Sequence, residues 1–239
     1  MTPNRFSSSR RPAGSWLWAA VAVSLVVSLT PWSRFLLYPF KLFTTWVHEC
    51  GHALMTLLVG GRVMAITIEP DTSGLTQSLV PVGRAARGLV ASSGYLGAAV
   101  VGCLLIAATR VEKWAHAILL GLGACMLFTL VFWMRNLFGA GVALVWGVAL
   151  IALARQGRGA APRFLLSLLG IQVALNSVYD IRVLFRIDRG QSDAATMERL
   201  FLLPSWVWAA AWMLTSLAML GATLRITRGS RRTSSSWFG

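Results

Sequence analysis

The sequence predicts an all-α polytopic membrane protein with six to seven transmembrane helices and one short β-hairpin after the second apolar segment. Three observations favour this fold class. Hydrophobic residues make up 56% of the 239 residues, and the mean hydropathy is +0.66. Apolar segments occupy almost the whole chain and leave no stretch for a soluble domain. A helix needs about 20 apolar residues to cross a bilayer.

The predicted helices follow the apolar segments in chain order. Two segments, 15–31 and 136–154, are marginal in length, so the count is six or seven. Tryptophans such as Trp32, Trp133 and Trp206 lie near segment ends, as in the aromatic belts at membrane–water interfaces. The segments are 15–31, 35–59, 88–109, 114–133, 136–154, 163–187 and 205–226.

The β-hairpin is predicted between the second and third segments. Gly60 and Gly61 end the helix. The stretches VMAITIEP (63–70) and GLTQSLVP (74–81) follow as short strand candidates. The turn between them would bring the two strands side by side.

Small residues mark one face of the third segment. Gly94, Ala98 and Gly102 recur every four residues and therefore share a helix face. Such a face lets another helix approach closely. Plain helix packing accounts for this face; the functional alternative is that the approaching helix is the one at 35–59, which carries two histidines.

The charge distribution indicates contact with lipid headgroups. The net charge is +14, but the basic residues lie at the termini and between apolar segments, which argues against nucleic-acid binding. We predict a basic N-terminal tail (1–15), a single integral-membrane domain (16–226) and a basic disordered tail (227–239). The first apolar run continues to Leu29 without a small-x-small cleavage site, which predicts an uncleaved first span.

The basic termini also bear on topology. The positive-inside rule places both termini in the cytoplasm, which requires an even number of spans. With seven spans, one segment would be re-entrant or the rule would fail at one end.

A polar motif interrupts the second apolar segment. His48-Glu49-Cys50-Gly51-His52 is an H-E-x-x-H motif, and ionisable groups at membrane depth are costly and mark functional sites. Residues four apart share a helix face, so His48 and His52 can offer two imidazoles to one Zn²⁺. Glu49 would lie beside the metal as general base. The plain structural alternative is two histidines packed inside a helix bundle.

The surroundings of the motif resemble the site-2 protease family of intramembrane zinc metalloproteases. HECGHALMTLLVGGRV (48–63) and ASSGYLGAAVVG (91–102) carry the resemblance, which is looser over the C-terminal part. The chain looks most like the compact bacterial branch without an extra peptide-binding domain. The resemblance implies a multi-pass zinc metalloendopeptidase of the bacterial cytoplasmic membrane that cleaves membrane-protein substrates.

Few acidic residues are available as a third zinc ligand, and catalytic zinc commonly has three protein ligands. Besides Glu49, only Asp180 lies within an apolar segment, and Asn176 shares its helix face. Site-2 proteases take their third ligand from an Asp that follows an Asn on a later transmembrane helix, which this pair resembles. Asn176 would orient the carboxylate or bind a substrate carbonyl. The family's usual Pro and Gly around this Asp are absent, and Arg182 can also pair with Asp180.

Asp193 is the alternative third ligand. The Ser-Asp-Ala sequence at 192–194 also looks like the compact branch. A helix start explains the same residues without a metal, because Ser192 can cap the helix and Asp193 can stabilise its first turn. We predict Asp180 as the ligand and keep Asp193 as the alternative.

These observations predict a zinc-dependent endopeptidase in which Glu49 moves a proton from the attacking water to the leaving amine. The hairpin can offer an edge strand to an extended substrate. A non-proteolytic member of the same fold that binds membrane proteins is an alternative, which the incomplete third-ligand pattern favours and the intact Glu49 disfavours. A small transporter is a further alternative, but inverted halves are absent from the sequence.

Overall fold

A computed structural model describes residues 14–157, 160–184 and 192–229. These residues form eight helices and one antiparallel hairpin, which confirms the predicted fold class. The predicted tails at 1–15 and 227–239 lie almost entirely outside the described residues. In chain order the elements are α1 (Gly14–Ser28), α2 (Ser33–Leu58), β1 (Arg62–Ile68), β2 (Gly74–Leu79), α3 (Arg84–Ala108), α4 (Glu112–Phe132), α5 (Leu137–Gln156), α6 (Ala161–Leu184), α7 (Asp193–Phe201) and α8 (Ser205–Gly229).

Each predicted apolar segment coincides with a helix. Among the described helices, α3, α4, α5 and α8 are long and apolar enough to cross a membrane. Helices α1, α2 and α6 coincide with the other three predicted segments. The motif helix α2 also contains Arg34 and Lys41 besides the two histidines and Glu49. The predicted count of six to seven spans therefore stays a prediction.

Helix α3 lies at the centre of the bundle and contacts α2, α6, α7 and α8. Its small-residue face allows this. A Cβ at Gly94 would lie 2.5 Å from the His48 and His52 rings of α2, and a Cβ at Gly102 would lie 2.9 Å from the Ala174 backbone of α6. The histidine helix, given above as the functional alternative, thus approaches this face at Gly94, while the other end of the face packs on α6.

The two strands form a hairpin that lies against α2. Ile66 pairs with Thr76 and Ile68 pairs with Gly74. Along β2 the side chains alternate, with Gly74, Thr76 and Ser78 partly buried and the intervening residues exposed. This period of two places the small polar residues of β2 toward α2.

The outer edge of β1 is covered by the segment between α4 and α5. The Ile66 N–H donates to the Trp133 carbonyl at 2.7 Å, and the Arg135 N–H donates to the Ile66 carbonyl at 3.1 Å. Asn136 continues this contact with its side-chain amide, which donates to the Ile68 carbonyl at 2.6 Å and accepts from the Ile68 N–H at 3.3 Å. Within the described part of the chain, β2 pairs only with β1. Its outer edge is therefore the free edge of the sheet.

The turn of the hairpin is bound to the N-terminal half of α2. The Tyr38 hydroxyl donates to the Pro70 carbonyl at 2.6 Å, and the Thr45 hydroxyl donates to the Thr72 carbonyl at 2.7 Å. Within the turn, Asp71 accepts hydrogen bonds from the side chain and backbone N–H of Ser73. These two bonds lower the pKa of Asp71, because they favour its ionised form. The hairpin is thus fixed at its turn as well as along β2.

Candidate metal centre

Two imidazoles and one carboxylate meet at the face of α2 that points toward α3 and α7. His48 and His52 are one helical turn apart, and their Nε2 atoms lie 3.0 Å from each other. The Asp193 Oδ2 atom lies 3.3 Å from each of these nitrogens. Within the described residues, this is the group of ligating side chains whose donor atoms could bind one metal ion.

The spacing of these atoms fits a tetrahedral metal ion. Zinc binds imidazole nitrogen and carboxylate oxygen at about 2.0–2.2 Å, so two of its tetrahedral ligands lie about 3.3–3.5 Å apart. The three observed separations of 3.0, 3.3 and 3.3 Å are close to this value. Two histidines and one carboxylate are also an established ligand set for catalytic zinc. The residues present therefore fit the metal that the motif predicts.

Neighbouring groups fix both imidazoles. The Nδ1–H of His52 donates to the Val90 carbonyl of α3 at 2.7 Å, which leaves Nε2 as the unprotonated ligand atom. His48 packs edge-to-face against Tyr95, with ring centroids 4.6 Å apart. Tyr95 in turn stacks on Trp212 of α8 at 5.4 Å. Helices α3 and α8 thus limit the orientations that the two rings can adopt.

Asp193 reaches the histidines from the first turn of α7. Ser192 caps this helix, because its hydroxyl accepts from the Ala195 N–H at 3.2 Å. Ala194 and Met197 are buried and place α7 on α3 and α8. The cap that the sequence predicts leaves the Asp193 carboxylate directed at the metal centre.

Glu49 lies beside the ligand group and is only 4% exposed. Its Oε2 atom accepts a hydrogen bond of 2.7 Å from the Thr76 hydroxyl of β2. Its Oε1 atom faces Gly74, where an added Cβ would lie 2.6 Å away. The carboxylate is therefore held between the motif helix and the hairpin.

A cleft of about 810 Å³ gives access to this group. Its walls come from α2, from β2 with the turn before it, from α3 and from the start of α7. The free edge of β2 runs along the cleft, so an extended chain could lie beside the strand and pass the metal centre.

The predicted site residues have different outcomes. His48, Glu49, His52 and Asp193 come together, whereas the side chain of Asp180 lies outside the described residues. Asn176 donates to the Thr44 hydroxyl at 3.3 Å, one turn before His48 on α2.

Asn176 is not among the residues that line the cleft. The roles predicted for Asp180 and Asn176 remain predictions. Thr76 and Tyr95 were not predicted as site residues. The alternation of small polar residues along β2 was the signal that could have indicated Thr76.

Comparison with known proteins adds one finding. The sequence model of the family described as Peptidase M50B-like matches residues 18–223 of this chain. Neither the curated proteins nor the solved structures include a significant match. The matched range begins in α1, ends in α8 and contains every residue of the candidate metal centre.

Proposed function

The chain belongs to the Peptidase M50B-like family, and from this premise we propose that it is a zinc-dependent intramembrane endopeptidase. The observation that carries the proposal is the triangle of His48, His52 and Asp193 donor atoms with the buried carboxylate of Glu49 beside it. Metal binding alone does not need that carboxylate. Its position on the cleft wall supports a reaction that requires proton transfer.

We propose that His48, His52 and Asp193 bind the zinc ion. When bound, zinc activates a water molecule for attack and polarises the scissile carbonyl. Asp193 replaces Asp180 in this proposal, because its carboxylate oxygen lies at the same distance from both histidines. The hydrogen bond from His52 to Val90 fixes the ring with Nε2 toward the ligand group.

Glu49 performs the proton transfers. One of its carboxylate oxygens takes a proton from the attacking water, while the hydrogen bond from the Thr76 hydroxyl to Oε2 fixes the orientation of the carboxylate. Glu49 then gives this proton to the leaving nitrogen as the peptide bond breaks. Burial of Glu49 limits exchange of this proton with bulk water.

The substrate is proposed to bind as an extended strand along β2. A transmembrane helix satisfies its backbone hydrogen bonds internally, so a membrane-protein substrate must unwind before its peptide bond is accessible. Unwinding breaks the hydrogen bonds within the substrate helix. The backbone N–H and C=O groups at the free edge of β2 can replace these partners. The proposed partners are accordingly membrane-protein or peptide substrates and the lipid bilayer, and the proposed location is a bacterial cytoplasmic membrane.

Glu49→Gln tests the function. The purified variant is expected to keep its zinc and to lose cleavage of a co-expressed membrane substrate, because glutamine preserves size and removes the proton acceptor. Glu69→Gln is the matched control, since Glu69 is exposed on the hairpin, and it should cleave like the wild type. Undiminished cleavage by Glu49→Gln would contradict the proposal. If the wild type and both variants bind zinc but none of them cleaves the substrate, the non-proteolytic alternative is favoured.

A further inference from the structure

We propose that Thr76 is a positioning residue that fixes the position of the Glu49 carboxylate relative to the substrate backbone. Its side chain holds Glu49, and its backbone pairs with the substrate strand. The inference rests on the proposed function, because it assigns a role within the same cleft.

The side chain of Thr76 makes two contacts with Glu49. Its hydroxyl lies 2.7 Å from Oε2 and 3.0 Å from the backbone carbonyl of the same residue. A hydroxyl has one proton, and a bond to an ionised carboxylate is stronger than a bond to a neutral carbonyl. The hydroxyl therefore donates to Oε2 and fixes the orientation of the carboxylate.

The backbone direction of Thr76 follows from its partner in the hairpin. Opposite residues of an antiparallel pair either exchange both N–H···O bonds or make none. Thr76 lies opposite Ile66, whose N–H and carbonyl both bond to the segment at 133–135 on the far side of β1. This pair makes no bonds between the strands, so the Thr76 N–H and carbonyl point to the free edge of β2.

Gly74 supports the same conclusion independently. It lies opposite Ile68, whose N–H and carbonyl both bond to the Asn136 side chain on the far side of β1. The backbone of Gly74 therefore also points to the free edge. Gly74 and Thr76 are thus two successive pairing positions for an incoming strand, and both lie against the Glu49 side chain.

One consequence is mechanical. Thr76 bonds to Glu49 through its side chain and pairs with the substrate through its backbone. Any displacement of the hairpin relative to α2 therefore moves the bound substrate and the Glu49 carboxylate together. The distance between the base and the scissile bond is then set by Thr76 together with Gly74, which also lies against the Glu49 side chain.

The test compares Thr76→Val with Thr76→Ser. Valine keeps the shape and β-branching of threonine and removes the hydroxyl, so we expect kcat to fall about 100-fold, as for a misplaced catalytic group, with KM and zinc content unchanged. Serine restores the hydroxyl and should bring kcat back to within about threefold of the wild type. Gln77→Val is the control, because the Gln77 side chain is exposed on the opposite face of the same strand.

A second measurement does not depend on turnover. Thermal unfolding is compared for the wild type, Thr76→Val, Glu49→Leu and the double variant. If the hydroxyl bonds to the carboxylate, Thr76→Val lowers Tm more when Glu49 is present than in the Glu49→Leu background, where only the backbone carbonyl of residue 49 can accept the hydroxyl proton. If the Tm effect of Thr76→Val depends on Glu49 but the wild-type protein cleaves no substrate, the proposed function is refuted while the contact between Thr76 and Glu49 is still supported.

Several results would overturn the assignment of Thr76. These are cleavage by Thr76→Val within about threefold of the wild type, equal losses for valine and serine, or an effect on KM or zinc content in place of kcat. Equal Tm shifts with and without the Glu49 carboxylate would overturn it as well.

Discussion

Replacing Gly94 by alanine should weaken zinc binding through steric displacement of both imidazoles. The added Cβ would lie 2.5 Å from His48 Cε1, His48 Nε2 and His52 Nε2, whereas real Cβ contacts essentially never fall below 3.0 Å. The rings or the helix must therefore move by at least the difference, 3.0 − 2.5 = 0.5 Å. Metal–ligand distances tolerate only about 0.2 Å.

The expected loss of zinc affinity can be estimated from substitutions of residues that orient metal ligands. Disturbing the groups that orient metal ligands commonly costs about 10- to 100-fold in affinity, or about 1.4–2.8 kcal/mol. Gly94→Ala should reach at least this range, because it displaces the ligands themselves. The assay is competition between the detergent-purified protein and a chromophoric zinc chelator.

Gly121→Ala is the matched control. Gly121 lies within α4, where no atom would come within 4 Å of an added Cβ. The control should bind zinc like the wild type and gain up to about 1 kcal/mol of helix stability. Zinc affinity of Gly94→Ala within about twofold of the wild type would refute the predicted geometry of the centre.

The remaining predictions concern single side chains around the same centre. Asp193→Asn should lose zinc while Asp180→Asn keeps it, as measured by metal analysis; the reverse result would restore Asp180 as the ligand. Gly74→Ala should keep zinc and lower kcat about 100-fold, because the added Cβ would lie 2.6 Å from Glu49 Oε1 and would displace the carboxylate. Cys50→Ser should keep both zinc and activity, because the Cys50 thiol is not part of the metal-binding group; loss of zinc would show that sulfur is a ligand.

The helices and the shared face of the two candidate ligands His48 and His52 could be predicted from the sequence because both depend on local patterns. Long apolar runs predict helices, and the i, i+4 spacing of His48 and His52 fixes their common face. The start of α7 was also predictable, since Ser192 caps it as expected. Each of these features is decided within a few residues of chain.

The third member of the ligand group was harder to predict because it depends on how distant elements fold together. Asp180 was favoured because a carboxylate within an apolar segment needs a partner. Asp193 had a sufficient local explanation at a helix start, which concealed its proximity to His48 and His52. The cap and the metal-facing carboxylate belong to adjacent residues, so one does not exclude the other.

The role assigned to Thr76 depends on strand register, which the sequence does not specify. A shift of one residue would turn its side chain away from Glu49. The register is fixed by contacts that are remote in the chain, including the Asn136 side chain on Ile68 and the Thr45 hydroxyl on the Thr72 carbonyl. Local patterns give the alternation of β2 but not the identity of its partners.

X-ray absorption at the zinc edge of the purified protein tests the central claim most directly. The claim is that His48, His52 and Asp193 bind one zinc ion per chain beside Glu49. The measurement should find only nitrogen and oxygen ligands at about 2.0–2.2 Å, and no bound zinc in the His48→Ala/His52→Ala variant. Equal zinc in that variant, or a sulfur ligand at about 2.3 Å, would contradict the claim.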